Sequence, residues 1–440
     1  MPDIRIDLDA PEPVAPARPW RRGLLAGAVV AALAAGAVLI RVLAPDDPVG
    51  PVDLRAEWSL ALPDEFGEAV TARVQGGTVL VVAEHGLLAA DRATGAERWR
   101  RSGDPPTEGE FARIAGNSLV LPGSGGFDVL DLPSGETRFS VSADQASVHL
   151  TLNSLVVSEP GRNLVAAYAL SDGRELWSRE LPERRWAALP AVMSGGRQPA
   201  GIANSRPGYT VPHGEFFLAI GETVEVRSLI DGDVLATWPY DQEGYEVLAP
   251  LGAYLVAVDA EANTIRALDP ATGDELWKRD RLGGSESYDY AFADELLVDA
   301  GPEADAYRLI DLDTGDGPDP FDLGGRAPLA FGRDFVVAID PELAELTAFG
   351  RVSWTTSLRP EGWTAAGFRP EGFLTGDGWL AIGGELGSGG ETQRHLWAVE
   401  LETGRIGSVP DGLLVGFENG ALVSVASGDA RTVRLHELGG

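Results

Sequence analysis

Acid–base, nucleophilic and metal chemistry in proteins depends mostly on histidine, cysteine and carboxylate side chains, and this sequence supplies them unevenly. It contains 67 acidic residues and five histidines but no cysteine. Without cysteine, disulfides, thiolate metal sites and cysteine nucleophiles are excluded. The histidines are isolated from one another, so each is predicted to lie in a loop or on a strand surface and not to bind a metal. They are His85, His149, His213, His395 and His436.

No linear motif selects an active site. The sequence contains no G-x-S-x-G nucleophile turn, no phosphate-binding loop and no dinucleotide-binding glycine pattern. Nothing in it picks out a pair of carboxylates for acid–base work. The string "DLDTGDG" at 311–317 is similar to a calcium-binding loop but lacks the ligand order and the final glutamate, so it predicts a β-turn. We name no catalytic and no metal-binding residue, and the sequence favours a non-catalytic protein.

The net charge narrows the class of partner. Acidic residues outnumber basic ones by 67 to 35, which gives a formal charge of -32. A field of that sign repels nucleic-acid phosphates, so no nucleic-acid role is expected. High charge also keeps an exposed domain soluble, although a cationic partner would suit the same charge.

The elements that position these side chains repeat along the chain. Two near-copies, "DRATGAERW" at 91–99 and "DPATGDELW" at 269–277, have the pattern of a strand end, a tight turn and a second strand. Looser copies bring the turn glycines to eight, and four of their seven spacings fall between 38 and 42 residues. These glycines are Gly95, Gly135, Gly173, Gly232, Gly273, Gly315, Gly350 and Gly404. A period near 40 residues without helical periodicity predicts an all-β repeat architecture.

Each residue of the repeated string has a physical role. The Asp91 carboxylate can accept backbone N–H bonds across the turn, and the Thr94 hydroxyl does so more weakly. Gly95 supplies the positive φ that the turn needs. Trp99, on the next strand, can fill the gap between adjacent sheets. With the two strand-like runs before each turn, one unit holds four strands, which is the content of a β-propeller blade.

The two ends of the repeat region predict a closed ring. The strand in "DLRAEWSLALP" at 53–63 has no turn before it, whereas the last unit, 412–438, offers only three strands. The first strand can complete the last sheet, which removes exposed edges. A literal count gives nine units, but the degenerate one around "LTAFGRVSW" at 346–354 is not expected to be independent. We therefore predict an all-β propeller of eight blades, within a range of seven to nine.

The repeated string resembles the tryptophan-docking motif of pyrroloquinoline quinone (PQQ)-like β-propellers. Its pattern Ala-x-Asp-x-x-Thr-Gly-x-x-x-Trp is complete at 89–99 and at 267–277, and the resemblance covers about 53–438. The resemblance implies that these residues pack blades together and do not touch a cofactor. The predicted docking residues are Asp91, Thr94, Gly95, Trp99, Gly135, Gly173, Trp177, Asp269, Thr272, Gly273, Trp277, Gly315, Trp354 and Gly404.

The same resemblance raises the question of a cofactor. Dehydrogenases of this family are expected to stack PQQ on a vicinal disulfide beside a calcium ion. A chain without cysteine cannot form that disulfide. We therefore predict no cofactor, and a PQQ- and calcium-dependent oxidoreductase that does without the cysteine pair remains an alternative.

The amino-terminal segment predicts a membrane anchor. Residues 23–40 carry no charged or polar side chain, and 23–43 can form one transmembrane helix. A cleaved signal peptide fits less well, because its best cleavage site, "VLA" at 42–44, is followed by proline.

Charge around the predicted helix orients it in the membrane. Arg18, Arg21 and Arg22 flank its start, and only Arg41 lies at its end, followed by two aspartates. The positive-inside rule therefore predicts a disordered cytoplasmic tail at 1–22 and an extracytoplasmic propeller at 54–440. Between them, 44–53 is a Pro-rich linker.

One long insertion is the candidate partner-binding loop. The segment 182–215 interrupts the repeat and is unusually basic for this chain; its candidate binding residues are Arg184, Arg185, Trp186, Arg197, Arg206 and Tyr209. Long insertions on rigid scaffolds often carry binding. A weaker candidate, 383–395, is expected to be a Gly-rich linker between strands.

The favoured function is a membrane-anchored extracytoplasmic scaffold that binds a protein or a cell-envelope ligand. The alternatives are the oxidoreductase described above and a ligand sensor coupled to a membrane partner.

Overall fold

The computed structural model describes most of the chain between Val52 and Leu438. The described residues are 52–103, 113–123, 125–143, 147–151, 153–181, 186–189, 215–220, 223–239, 247–251, 254–259, 263–280, 292–293, 296–300, 306–317, 319–332, 335–359, 367–376, 378–388, 391–426 and 428–438. All of them belong to one compact unit, Pro51–Gly440. The predicted tail (1–22) and transmembrane helix (23–43) lie outside them. Within the described part, no helix has the length and apolar character needed to span a membrane.

The described strands form nine four-stranded antiparallel sheets, which we number as blades 1 to 9 along the chain. Blades 1 to 3 comprise β2 (Ala69–Gln75), β3 (Thr78–Ala83), β4 (Gly86–Asp91), β5 (Glu97–Ser102); β6 (Arg113–Ala115), β7 (Ser118–Gly123), β8 (Gly126–Asp131), β9 (Thr137–Ser142); and β10 (Ser147–Leu150), β11 (Ser154–Glu159), β12 (Leu164–Ala169), β13 (Glu175–Glu180). Blades 4 to 6 comprise β14 (Trp186–Leu189), β15 (Glu215–Ile220), β16 (Thr223–Ser228), β17 (Val234–Pro239); β18 (Val247–Leu251), β19 (Tyr254–Asp259), β20 (Thr264–Leu268), β21 (Glu275–Asp280); and β22 (Phe292–Ala293), β23 (Leu296–Ala300), β24 (Ala306–Asp311), β25 (Phe321–Asp322). Blades 7 to 9 comprise β26 (Ala327–Gly332), β27 (Phe335–Asp340), β28 (Glu345–Gly350), β29 (Trp354–Ser357); β30 (Phe368–Gly376), β31 (Trp379–Ser388), β32 (Glu391–Glu400), β33 (Ile406–Pro410); and β34 (Gly412–Glu418), β35 (Ala421–Ala426), β36 (Asp429–Glu437), β1 (Trp58–Ala61). Two short 3-10 helices, Asp64–Phe66 and Pro160–Arg162, complete the described elements.

Burial varies systematically across a blade. Every residue of β3 is buried, because neighbouring blades cover both faces of this strand. The fourth strand, β5, is exposed except at Trp99. First strands of neighbouring blades contact one another, as β34 does with both β30 and β2, so they line the inner side of the ring.

Among the described residues, the hydrophobic core is divided into nine clusters, and each cluster joins two consecutive blades. One joins blade 9 to blade 1 and so closes the ring. Closure also uses the predicted strand exchange, because β1 pairs with β36 from Trp58↔Leu435 to Ala61↔Thr432. The predictions of an all-β propeller, of four strands per unit and of closure by the first strand are confirmed.

Two predictions need correction. The described strands form nine sheets, a number that lies within the predicted range of seven to nine but is one more than the favoured number of eight. The degenerate unit that we discounted is an independent blade, because β26 to β29 pair along their lengths without the Asp-Thr turn. The segment 383–395 is no linker: most of it lies in β31 and β32, which pair from Trp379↔Glu400 to Ser388↔Glu391.

Candidate functional site

A repeated docking station joins most of the blades. At the station between blades 1 and 2, the Trp99 indole lies over the turn of blade 2 and its N–H donates to the carbonyl of Leu132, 2.7 Å away. Gly135 has φ +72°, and a Cβ there would lie 2.5 Å from the Trp99 ring. The glycine is therefore required twice, for its left-handed backbone and for the space that the indole occupies.

The same geometry recurs around the ring. Six indole N–H groups of the described tryptophans donate to the carbonyl three residues before a turn glycine: Trp58 to Arg92, Trp99 to Leu132, Trp177 to Leu229, Trp238 to Pro270, Trp277 to Leu312 and Trp354 to Leu401. The glycines under these rings are Gly95, Gly135, Gly232, Gly273, Gly315 and Gly404, and Phe139 takes the tryptophan position over Gly173. The acceptor carbonyls could not be predicted from the sequence, because a main-chain carbonyl is present in every residue and favours no residue type.

The predicted turn chemistry is present where the motif is complete. Asp91 Oδ1 accepts the backbone N–H groups of Ala93 and Thr94 and the Thr94 hydroxyl, at 2.9 to 3.1 Å. Arg98 donates to Oδ2 at 2.7 Å. These bonds, first from Arg98 and then from Thr94, hold the pKa of the Asp91 carboxyl at about 2. Asp269 accepts the N–H of Ala271 at 2.7 Å.

The turn of the second predicted repeat string is completed by Thr272, whose hydroxyl accepts the N–H of Asp274 at 3.2 Å. The calcium-like string at 311–317 is a turn of the same kind, since Asp311 accepts the N–H groups of Asp313 and Thr314. The prediction of a β-turn there is confirmed.

In the part of the ring that the structure describes, two junctions lack the glycine station. Between blades 6 and 7, Tyr307, Leu309 and Val336 pack directly against one another. Between blades 8 and 9, packing centres on Trp379 and Phe417. The sequence gives no period at these junctions, because an irregular apolar contact needs no fixed residue at a fixed spacing.

Trp397 is a structural residue that the repeat did not reveal. It lies on a third strand, β32, and its indole N–H donates to the carbonyl of Leu358 at the edge of blade 7, 3.0 Å away. The His395 ring stacks on it at 5.3 Å, and the Phe368 ring meets it edge-on at the same distance. The signal in the sequence was the i, i+2 spacing of His395 and Trp397, which places both on one face of a strand.

Ion pairs reinforce the junction where the ring closes. Both nitrogens of the Arg73 fork donate to Glu418, at 2.8 and 2.9 Å, and the same carboxylate accepts the Val74 N–H. Arg92 makes the equivalent two-pronged contact with Glu437, at 2.7 Å for each bond. All four charged side chains are partly buried, so these pairs are stronger than exposed ones.

A buried serine–histidine pair also lies at the closure. The Ser424 hydroxyl and His436 Nε2 are 2.9 Å apart, and Nδ1 lies 2.8 Å from the Leu54 carbonyl. The carbonyl can only accept, so Nδ1 carries the proton and the Ser424 hydroxyl donates to Nε2. Both side chains are fully buried, so a substrate cannot reach the pair and it serves to pin Leu54 to β36.

The expectation that all histidines lie in loops or on surfaces is therefore wrong for two of them. His395 and His436 are buried in strands, and burial lowers the pKa of each imidazole. His85 is exposed as expected, whereas His213 and the side chain of His149 lie outside what the structure describes.

Exposed apolar side chains are concentrated on blade 4. Among the described residues six large hydrophobic side chains are exposed, and three of them fall within 230–235. Ile230 is 80% exposed in the turn between β16 and β17, and Val234 and Leu235, at the start of β17, are 45% and 55% exposed. Exposed apolar side chains that lie so close in the sequence make this part of blade 4 the candidate interaction surface.

The family of the chain follows from its repeats. A family model described as "Outer membrane protein assembly factor BamB" matches residues 26–189 and 161–317, which together span more than half of the 440 residues. The chain belongs to this BamB-type family of PQQ-like β-propellers. Among curated proteins, no sequence matches the chain significantly.

Solved structures similar to this PQQ-like propeller include three of low sequence identity. BamB from Moraxella catarrhalis is 14% identical, with 88% of this chain and 100% of that chain covered and a TM-score of 0.38. The computationally designed protein Ika8 is 14% identical, with 86% and 98% covered and a TM-score of 0.45. A europium-containing methanol dehydrogenase is 12% identical, with 76% and 85% covered and a TM-score of 0.39. At these TM-scores, the family assignment stands on the family model alone.

Because some PQQ-like propellers bind PQQ and a metal ion, we ask whether the residues of this chain could hold them. The donor set does not fit: the chain has no cysteine for a vicinal disulfide. In the described part, no three histidine, aspartate or glutamate side chains converge as metal ligands. We therefore derive no chemistry through PQQ or calcium.

The predicted partner-binding loop falls largely outside the described residues. Arg184, Arg185, Arg197, Arg206 and Tyr209 are among those not described. Trp186 begins β14, the first strand of blade 4, and the connection from β14 to β15 spans 190–214. In an antiparallel blade, the end of β14 and the start of β15 lie at the same end of the sheet as the β16–β17 turn. Leu189 and Glu215, the described residues that flank this connection, therefore lie at the same end of blade 4 as the exposed Ile230.

Proposed function

We propose that this propeller is a non-catalytic scaffold that binds a protein partner on the extracytoplasmic side of a membrane. The observation that carries the proposal is the exposed apolar cluster of Ile230, Val234 and Leu235 on blade 4. Docking and closure contacts hold the blades in a closed ring, which presents such a cluster at little cost in conformational entropy.

The proposal includes an anchor at 23–43 with the amino terminus in the cytoplasm. It is supported by the apolar run at 23–40 and by the arginines before it. The family description, which names an outer-membrane assembly factor, supports a protein partner in the cell envelope. The chain has no cysteine for a lipid anchor, so we do not extend a role in outer-membrane assembly to it.

Cross-linking in intact membranes, followed by mass spectrometry of everything attached to residues 50–440, tests the proposal. We expect one reproducible protein partner joined through blade 4. Deletion of 191–213 should weaken its capture while the circular dichroism spectrum of the strands persists. Unchanged capture would remove the loop from the binding surface. If no partner attaches anywhere to a folded propeller, the scaffold proposal fails.

A further inference from the structure

One backbone position recurs on the outer strand of the first five blades. Each of these strands begins with a register shift that leaves one extra residue, three positions after the turn glycine. These bulge residues are Arg98, Arg138, Leu176, Leu235 and Leu276. Because a bulge residue lies outside the ladder pairing, its side chain varies without changing the register.

In blades 1 and 2 the bulge residue is a paired arginine. Arg98 donates to the turn carboxylate of Asp91 at 2.7 Å and to the Thr78 hydroxyl at 2.9 Å. Arg138 pairs in the same way with Asp131 and also donates to the Ser118 hydroxyl. The outer side of these two blades therefore presents a polar, internally neutralised turn.

In blades 3 to 5 the bulge residue is leucine. Leu176 is half-buried, whereas Leu235 and Leu276 are 55% and 50% exposed. We call these three residues, together with Ile230 and Val234, the leucine band. The docking stations join the three blades in order, with Trp177 on Gly232 and Trp238 on Gly273. The band thus follows the outer side of three consecutive blades.

The charge beside the leucine band is negative. The turn segments 172–176, 231–235 and 272–276 contain six carboxylates and one arginine, Arg174. Arg179 pairs with Asp233 and Arg266 with Glu275, so the six carboxylates still outnumber these three arginines by three. A second copy of this chain would bring the same carboxylates against them, which disfavours self-association. A partner whose apolar side chains are flanked by arginine or lysine would be attracted.

We infer that the leucine band binds a segment of a different protein in which apolar side chains are flanked by arginine or lysine. This inference rests on the proposed scaffold function and names the chemistry of its partner.

Site-specific photo-cross-linking tests the inference in the full chain in its native membranes. p-Benzoylphenylalanine replaces Leu235, Leu276 or, as the control at the equivalent position of blade 1, Arg98. After irradiation, the attached peptide is sequenced by mass spectrometry. We expect positions 235 and 276 to attach the same basic, apolar segment, with at least tenfold higher yield than position 98.

A second set of variants separates binding from folding. Leu276→Arg and Leu235→Arg introduce an arginine at the bulge position. Blades 1 and 2 already carry an arginine there, Arg98 and Arg138, so the propeller should remain intact. With the photo-probe at Ile230, Leu276→Arg should lower the adduct yield at least tenfold, and Arg98→Leu should leave the yield unchanged.

Several results would overturn the inference: an acidic attached segment, a second copy of this chain as the adduct, equal yields from positions 98 and 235, or an unchanged yield in Leu276→Arg. A partner that cross-links elsewhere on the propeller, with no adduct from the band, would refute this inference and leave the scaffold function standing. A propeller that captures no partner by any route would refute the scaffold function itself.

Discussion

The docking station makes a quantitative prediction about two glycines of blade 2. Gly135 has φ +72°, and a Cβ added there would lie 2.5 Å from the Trp99 ring. Gly116, in the β6–β7 turn, has φ +54°, and no heavy atom outside its own neighbourhood lies within 4 Å of an added Cβ. Both substitutions to alanine impose the same backbone strain, so their difference isolates the contact with the indole.

The expected losses in the free energy of unfolding follow from backbone strain and from overpacking against the indole. A left-handed backbone costs an alanine about 1–2 kcal/mol, and Gly116→Ala should lose up to that amount. The loss is reduced by up to about 1 kcal/mol, because alanine has less freedom than glycine in the unfolded chain. Gly135→Ala carries the same term and adds overpacking against Trp99, which costs about 1–3 kcal/mol. Gly135→Ala should therefore be the more destabilising by about 1–3 kcal/mol.

A double-mutant cycle identifies the source of that difference. Trp99→Ala alone should cost about 3–5 kcal/mol, because it leaves a cavity and removes the indole donor from Leu132. In the Trp99→Ala background the added methyl at 135 meets no ring, so the excess cost of Gly135→Ala should disappear. Urea unfolding of the full-length chain, followed by far-ultraviolet circular dichroism, measures each variant. Equal losses for Gly116→Ala and Gly135→Ala, or an excess that persists without Trp99, would refute the docking account.

Two further predictions concern the closure of the ring. Glu418→Gln should lower the free energy of unfolding by about 1–3 kcal/mol, because it removes the charged acceptor of Arg73. In the same urea assay, Glu97→Gln, which alters the exposed pair with Arg100, should change the free energy of unfolding by less than about 0.5 kcal/mol. Equal effects of the two substitutions would contradict the role of Glu418 in closing the ring. Burial lowers the pKa of His436 below its unfolded value of about 6.5. Its contribution to stability is therefore complete above about pH 6.5 and is lost as pH falls towards the lowered pKa. Between pH 7.5 and 5.5 the wild-type urea midpoint should fall more than that of His436→Leu, and parallel falls would show that His436 does not drive the change.

The propeller fold was predictable because most blades use the same turn and the same docking contact. A turn with positive φ needs Gly95 or Gly273, and the gap beside it needs an aromatic ring such as Trp99, so the solution recurs at a readable spacing. The exchange of β1 was predictable for a related reason, since a ring cannot leave one blade with three strands. Blade 7 was not counted as independent because the turn before Trp354 lacks the Asp-Thr pair of the motif, although Trp354 itself docks on Gly404.

The closure contacts were not predictable, because they join residues that lie far apart in the sequence. Arg73 and Glu418 are 345 positions apart, and no local pattern links them. The burial of His436 follows from the position of Leu54, which is likewise set only when the ring closes. Sequence periodicity detects residues that recur in each blade because every blade needs the same turn and packing. The closure contacts occur once, where the last blade meets the first, so they produce no period.

The separation between frame and function has a physical origin in the docking station. In the tryptophan stations at Gly135 and Gly315, the contact is made by the glycine backbone, the indole and a main-chain carbonyl, without the bulge residue. The phenylalanine station at Gly173 differs, because the bulge residue Arg138 donates to the Leu170 carbonyl, 3.3 Å away. Arg98 and Leu276 therefore occupy the same backbone position in stations of the same geometry. A residue that blade docking does not constrain can change to suit a binding partner. Because such a residue differs from blade to blade, it does not appear in the repeated sequence pattern. In this fold the residues that distinguish one blade from the next, and not those that the blades share, are where a partner should be sought.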